Sequence, residues 1–364
     1  QGWLSIPPTQ FRLVASLGAS HIGLQRLIEW PMLKRTLPGA FLLIFLLCLT
    51  SFTVALAVGG GPKATTIELA VYQAFRFDFN IGKAATLGLI QIGICIAAAA
   101  LTFLVPLPRV DGGSTVGVVQ TWSTPSPLDW VWIGLGAAFL LVPLGAVIIA
   151  GVPGLWALPS AIWPALWTSL WVAVASTFLC AGMAMGLALM VARSADGVRK
   201  LAEGIGVLGL ATSPLVIATG LFLMIFPFAR PMDWALVVTL AVNAVMSLPF
   251  ALRVLAPAVA QTYADHDRLR HSVGMPQGTW MMRVVLPAVR RPLGFAMGLA
   301  AALSMGDLGV ITLFADPSIE TLPLAMYRLM GAYRMGDAAG AALVLVSASL
   351  VLFYAFDRGG RGHA

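Results

Sequence analysis

Arg268–Arg291, RLRHSVGMPQGTWMMRVVLPAVRR, is the longest polar interruption in the second half of a very apolar chain. It carries five arginines, a glycine ahead of a Met-Pro step and, further on, a Leu-Pro step. The same layout stands near the start, Arg12–Arg35, RLVASLGASHIGLQRLIEWPMLKR. A shift of 256 residues lays Leu13 on Leu269, Ser16 on Ser272, Gly18 on Gly274, Pro31 on Pro287 and Lys34-Arg35 on Arg290-Arg291. After a one-residue gap, a shift of 255 lays Thr66 on Thr321, Leu69-Ala70 on Leu324-Ala325 and Tyr72 on Tyr327. Loop, helix, outer segment and helix therefore recur in one order, the mark of an internal repeat.

Composition settles the class around these loops. Of 364 residues, 59% are hydrophobic and 10% charged, and the mean hydropathy is +0.90. A soluble domain carries about a quarter charged residues, so most of this chain faces lipid or other buried helices. The net charge of +7 then marks cytoplasmic loops rather than a nucleic-acid surface, for which no basic, aromatic-interleaved module exists. Cys48, Cys95 and Cys180 lie in apolar runs without zinc-like or disulfide spacing. They read as packing residues, and no metal site is expected.

Eight stretches have the ~20 apolar residues that a membrane helix needs: 37–58, 84–105, 129–151, 163–192, 204–228, 233–256, 293–314 and 336–357. The fold class is thus all-α and polytopic. Placing 257–292 in the cytoplasm puts 16 of the 22 Lys and Arg inside and leaves Lys63, Arg76, Lys83, Arg230, Arg328 and Arg334 outside. The positive-inside rule selects this orientation, with both ends of the chain cytoplasmic. The Pro-, Gly-, Ser- and Thr-rich stretch 106–128 reads as a linker. It separates residues 1–105, the later part of one permease half, from 129–364, a complete second half. The second loop follows four helices and the first follows none, so a twelve-helix protein whose first four helices precede Gln1 is expected.

Each loop reads as helix, turn, helix. Gly274 suits the left-handed position that ends a helix, and Pro276 the first turn of the next. Gly18 takes the same place in the first copy, with Ser20 as a candidate N-cap. Pro287 and Pro31 are expected to separate the short helix from the membrane helix behind it. That short helix would display Trp280, Met281 and Val284 for docking into a partner's groove. A basic interfacial helix resting on membrane lipid is the plainer alternative; repetition of Gly, Pro and a basic pair at matched spacing favours the partner.

With those residues in view, the loops resemble the coupling loops of ABC importer permeases. That pattern sets a glycine ten residues before an Ile and thirteen before a Leu-Pro proline. Here Gly274 precedes Val284 and Leu286-Pro287, and Gly18 precedes Ile28 and Trp30-Pro31. The family's Glu-Ala-Ala triplet is replaced by Arg268-Leu269-Arg270 and Arg12-Leu13-Val14. The stretches LAVGGGPKATTIELAVYQAF at 56–75 and LSMGDLGVITLFADPSIETLPLAMYRLMGAYRMGDAA at 303–339 are most similar to fused-half permeases of thiamine uptake systems. The resemblance implies a type I importer fold in the bacterial inner membrane and import of thiamine or its phosphates. It also implies a homodimeric ATPase that carries ATP and Mg, and a periplasmic binding protein. This chain itself would be no enzyme and hold no cofactor. Gly18, Ile28, Pro31, Gly274, Pro276, Trp280, Val284 and Pro287 become the expected ATPase-coupling residues. A ferric iron permease of the same superfamily and an ion-coupled secondary transporter are the alternatives; the twin loops and the scarcity of intramembrane carboxylates count against the second.

Other motifs carry less. GGGPKATT (59–66) lacks the Gly-Lys-Ser/Thr of a phosphate loop, and GIGVLG (204–209) follows no strand. Glycines at 182 and 186, and at 294 and 298, have the spacing that lets helices approach closely. Asp307 falls about 14 positions into an apolar stretch, where a carboxylate costs about 2.5–3.5 kcal/mol, so it is expected to face a cavity or a partner and could meet a cationic substrate. Asn243 reads as a packing hydrogen bond. Tyr72 and Tyr327, with Phe75 and Tyr333, could stack on a substrate's rings or form an interfacial belt, the belt being favoured.

Overall fold

The structure, a computed structural model, describes residues 13, 14, 16–18, 23, 25–57, 59, 65–104, 127–194, 197–199, 201, 202, 204, 209, 212–314 and 320–361. The expectations for Ser20, for most of the glycine loop 59–66, for the linker through residue 126 and for most of 204–209 lie outside the described residues. Among the described residues every regular element is helical. Two compact units are present, Gln1–Cys48 with Gly93–Pro143, and Leu49–Ile92 with Leu144–Ala364.

The first unit holds the first basic loop, nearly all of helix α1 (Trp30–Leu49) and parts of two helices that continue in the second. The second unit begins with α2 (Thr53–Ala57) and α3 (Ile67–Arg76) and continues into α4 (Ile81–Leu104). The long α5 (Pro127–Gly154) follows, then α6 (Ile162–Arg193), α7 (Pro214–Ile225) and α8 (Ala235–Val273). Past the second loop come α9 (Gln277–Trp280), α10 (Leu286–Ala288), α11 (Arg290–Met305), α12 (Gly309–Phe314), α13 (Leu322–Gly331) and α14 (Met335–Gly360).

Among the described residues, six segments are long and apolar enough to cross a membrane: Ile81–Ala98, Pro127–Gly154, Ile162–Arg193, Pro231–His266, Arg290–Phe314 and Met335–Gly360. They match six of the eight expected stretches. The other two take different forms. Residues 37–58 are divided between α1 and α2 by a break at Thr50–Phe52, and 204–228 contains the 12-residue α7. The span Arg290–Phe314 is itself interrupted between α11 and α12.

Within the second unit, α8 packs along α6, and α11 packs against α6, α8 and α14. Close approach comes from missing side chains. A Cβ on Gly294 would lie 2.7 Å from the Gly360 Cα, and one on Gly298 2.8 Å from the Phe353 carbonyl oxygen. The expected close packing at 294 and 298 is present. At Gly182 and Gly186 a Cβ would meet nothing within 4 Å, so there the spacing serves no such contact.

The same helices are pinned by hydroxyls and an amide. Asn243 donates to Ser304 Oγ at 2.9 Å, and Ser176 donates to the same oxygen at 2.9 Å. One buried node thereby joins α6, α8 and α11, as read for Asn243. The Leu322 amide at the start of α13 donates to Ser169 Oγ on α6 at 2.7 Å.

Two buried clusters lie along α8. One gathers Val238 and Val242 of α8 with Tyr72, Leu215, Leu308 and Phe314. The other gathers Leu252, Leu255, Val259 and Tyr263 of α8 with Met185 and Trp280. They mark the two places where functional side chains collect.

Candidate functional site

The second basic loop is built on the far end of α8, which runs 17 residues beyond the expected membrane stretch, from 256 to Val273. Gly274 ends it with φ 63° and ψ 30°. The Met275 amide bonds the Arg270 carbonyl at 3.1 Å and the Gly274 amide the His271 carbonyl at 3.3 Å. This is the six-to-one, five-to-two closure that satisfies a helix's last carbonyls, and its left-handed residue favours glycine. Pro276 then stands just ahead of α9, where its missing N–H costs nothing.

The first loop repeats the geometry in its own unit. Gly18 has φ 66°. Ser16 Oγ donates to the Leu13 carbonyl at 2.8 Å, and Ser272 Oγ donates to the Leu269 carbonyl at 2.9 Å. Residues Gln25–Glu29 form a π-helical turn, and Met281–Val285 form its counterpart 256 positions on. The expectation for the following prolines is corrected here. Pro31 is the second residue of α1 and directly continues the π turn, and Pro287 lies inside α10. Each proline therefore stands within a helical run continuous with the π turn before it, and in the second copy the turn that separates this run from α11 falls at Val289, two residues past Pro287.

Trp280 is corrected as well. It was expected on the displayed face but is 1% exposed. Its ring meets Tyr263 edge-on at 5.8 Å, and the Arg270 guanidinium lies 6.0 Å from the ring centre. Because α8 extends so far, Tyr263 is available as a wall for the indole. Val284 is half-buried against the same cluster and Ile28 of the first loop is buried. The apolar side chains that do face outward include Val273 at 65% and Met282 at 73%, with Leu269, and Leu13, Leu17, Leu27 and Trp30 in the first copy.

Arg193, at the end of α6, ties that helix to the loop. Its Nε and Nη2 donate to the Tyr263 hydroxyl at 2.8 and 2.5 Å. With its oxygen turned to the guanidinium, the Gln277 carboxamide accepts from Nη2 at 2.8 Å. Arg193, Tyr263, Arg270 and Gln277 line a cleft of about 490 Å³. The sequence signalled Arg193 only as a positive charge; its aim at Tyr263 is set by the lengths of α6 and α8.

At the other cluster, the three residues expected on a substrate pathway share one neighbourhood. Asp307 does not stand mid-helix as expected. It occupies the break after α11, and its Oδ1 accepts from the Gly309 amide, at the start of α12, at 3.2 Å. Tyr72 is buried, with its ring 5.3 Å from Phe52, and Tyr327 packs against the same cluster. Of the aromatics read as a belt, Tyr333 is exposed while Tyr72 is enclosed.

A fourth residue was missed. Glu68, in the first turn of α3, is 0% exposed. It accepts from Gln91 Nε2 at 3.3 Å and from the hydroxyl of Ser213, the N-cap of α7. Glu68 lies outside the six candidate spans. Burial pushes its carboxyl up to about 7, although the bonds from Ser213 and Gln91 pull it down. A sequence signal was available: Glu68, Val71, Tyr72 and Phe75 share one face at helical spacing, so this acid stands on the apolar side of an amphipathic helix.

Among the described residues no group of three or more His, Cys, Asp or Glu side chains could hold a metal ion. No protein-family model matches the chain. It is 37% identical over 369 residues to the thiamine transport system permease protein ThiP of Escherichia coli, covering 97% of this chain and 68% of that protein. The protein of the same name from Brucella abortus is 35% identical (97% and 67% covered), and that from Haemophilus influenzae 32% (97% and 68%). The chain spans about two thirds of the length of these relatives. With six candidate membrane spans, paired basic loops and this identity along nearly its whole length, the chain belongs to the ThiP family of thiamine transport system permease proteins.

Proposed function

We propose that this chain is the membrane-spanning subunit of an ATP-driven importer that moves thiamine or its phosphates from the periplasm to the cytoplasm. The observation that carries this is the pair of loops, which share a left-handed glycine, a serine–carbonyl bond and a π turn at one spacing of 256 residues. Two equivalent projections suit two equivalent sockets, as a homodimeric ATPase offers. The substrate follows from the names of the relatives.

In this reading Gly18 and Gly274 set the turn, Ile28, Trp280 and Val284 hold each loop's shape from within, and Pro31, Pro276 and Pro287 fix where its helices begin. The outward Leu17, Val273 and Met282 then supply the apolar contact with the ATPase. Closure of the ATPase dimer on ATP draws the loops together and opens the pathway outward; hydrolysis resets it. A periplasmic binding protein delivers the substrate. The eight stretches form part of a twelve-helix type I layout, divided as 1–105, a linker at 106–128 and 129–364. The positive-inside orientation places both loops and both ends of the chain in the cytoplasm. Asp307, Tyr72 and Tyr327 border the pathway.

The test is uptake of labelled thiamine, together with co-purification of the ATPase subunit, for the wild type and Gly274→Val. The expected result is ATP-dependent uptake and a stable complex, both lost in the variant. Uptake that persists without any ATPase subunit would overturn the reading, and transport of ferric iron in place of thiamine would overturn its substrate.

A further inference from the structure

We infer that Glu68, Gln91 and Asp307 form a recognition site for the positively charged part of an aromatic organic cation, inside the second unit; this rests on the reading of the chain as a thiamine permease. α3, α7 and α12 pack against one another. They bring together the Glu68 carboxylate, the Ser213 hydroxyl that binds it, and Asp307 at the start of α12. Gln91 joins from α4 through its bond to Glu68.

What remains unsatisfied in this group is all of one kind. Glu68 Oε2, Gln91 Oε1 and Asp307 Oδ2 are buried and have no hydrogen-bond partner among the described residues. Gln91, 0% exposed, turns its amide nitrogen to Glu68, so its orphan oxygen lies beside the same carboxyl. Each orphan is an acceptor. A ligand that completes them must bring donors or positive charge. Among the described residues, no Lys or Arg side chain pairs with either carboxylate. Two acids enclosed without a counter-ion are unfavourable unless protonated or met by a cation.

Two features favour an organic cation over a metal ion. Divalent metal ions are held by several charged or imidazole ligands, and among the described residues no group of three or more His, Cys, Asp or Glu side chains is placed to hold one. The walls are aromatic: Phe52 and Tyr72 lie edge to face, with Phe75, Phe222 and Tyr327 in the same cluster. Ring faces and carboxylates together suit a flat cation that is both stacked and charge-paired. Glu68 is fully buried, and Asp307, partly exposed as a residue, keeps its Oδ2 buried; such enclosure suits a station on a pathway that opens to one side at a time.

The site is asymmetric. Pro323 stands where the repeat would place a second Glu68, Val346 where it would place Gln91, and Ser51 where it would place Asp307. One cation, held off the repeat axis, is the arrangement this predicts.

The experiment uses the permease assembled with its ATPase and binding protein, comparing wild type, Glu68→Gln and Asp307→Asn. Glu68→Gln keeps the shape and removes the charge; Asp307→Asn keeps the oxygen that caps α12. Thermal unfolding is followed with thiamine, with its neutral thiophene isostere and with sodium chloride, alongside thiamine uptake and binding-protein-stimulated ATP hydrolysis. The expected result is a rise in unfolding temperature with thiamine that the neutral isostere does not give and that both variants lose. Uptake should fall about tenfold or more while stimulated ATP hydrolysis stays within about twofold of wild type. Unaltered uptake and discrimination in both variants would overturn the site. So would an equal response to the isostere, or the same rise with sodium alone. If wild type moves no thiamine but is stabilised by the aromatic cation, and Glu68→Gln abolishes that stabilisation, the substrate reading fails and the site stands.

Discussion

The described turn features of the two basic loops match, while the segments that follow them differ in their close-packing residues and in the acid, Asp307, where the first copy has Ser51. Both loops turn at a glycine with φ near 65° and both carry the serine bond and the π turn. Behind the second loop, α11 lies against α14 through Gly294 and Gly298; behind the first, Pro38 and Leu42 occupy those positions. In the proposed importer a symmetric ATPase would demand the same shape twice, whereas the interior would pass one asymmetric cargo. A repeat therefore keeps its geometry where it faces a symmetric neighbour and is free to diverge elsewhere.

The largest expected effect tests what supports one loop from within. Trp280→Ala should cost about 3–5 kcal/mol of stability, read as a lower unfolding temperature of the purified permease, because the indole fills the space between Tyr263 and Arg270. Retention of wild-type stability would mean that the loop is held from elsewhere. Next is Gly298→Leu, expected to cost about 1–3 kcal/mol through overpacking, since even a Cβ would press on the Phe353 backbone. Third, Gly18→Ala and Gly274→Ala should each cost about 1–2 kcal/mol from the left-handed backbone alone, because neither Cβ meets any atom. Asparagine at either position should recover part of the loss. Equal costs would sharpen the likeness of the two loops, and a difference beyond about 1 kcal/mol would break it. The smallest effect is Ser16→Ala and Ser272→Ala, each within about 0.5 kcal/mol, since both serine bonds are exposed.

The loop turn was legible in the sequence because glycine at a left-handed helix end is a local demand, met by the residue itself. The cap of α3 was not read from the sequence: Thr66, aligned with Thr321 in the repeat, accepts from the Leu69 amide at 3.3 Å, whereas Thr321 precedes α13 without such a bond. The fate of Trp280 was not legible, since it depends on how far α8 continues past its apolar stretch. Nor was the interruption at Asp307: an apolar run of 22 residues looks the same whether or not it breaks, and the break is fixed by neighbours such as α3 and α7. Glu68 was hidden by a plausible local role, an acid in a first helical turn favoured by the helix dipole. Its place on the apolar face of α3 hinted at another use, and its partners Gln91 and Ser213, 23 and 145 residues away, reveal it.

The 39 residues of α8 form one uninterrupted helix through Pro249 and Pro257, about 58 Å long at 1.5 Å per residue. Its early turns line the acid-bearing cluster and its last turns carry the basic loop. Such a rod acts as a lever: a tilt of about 5° about one end sweeps the other through about 5 Å, close to the pitch of one helical turn. A pivot midway between the two ends would share that sweep, so that a push on the loop moves the residues beside the acids by about 2.5 Å in the opposite direction, with no relay of intermediate contacts needed between the two.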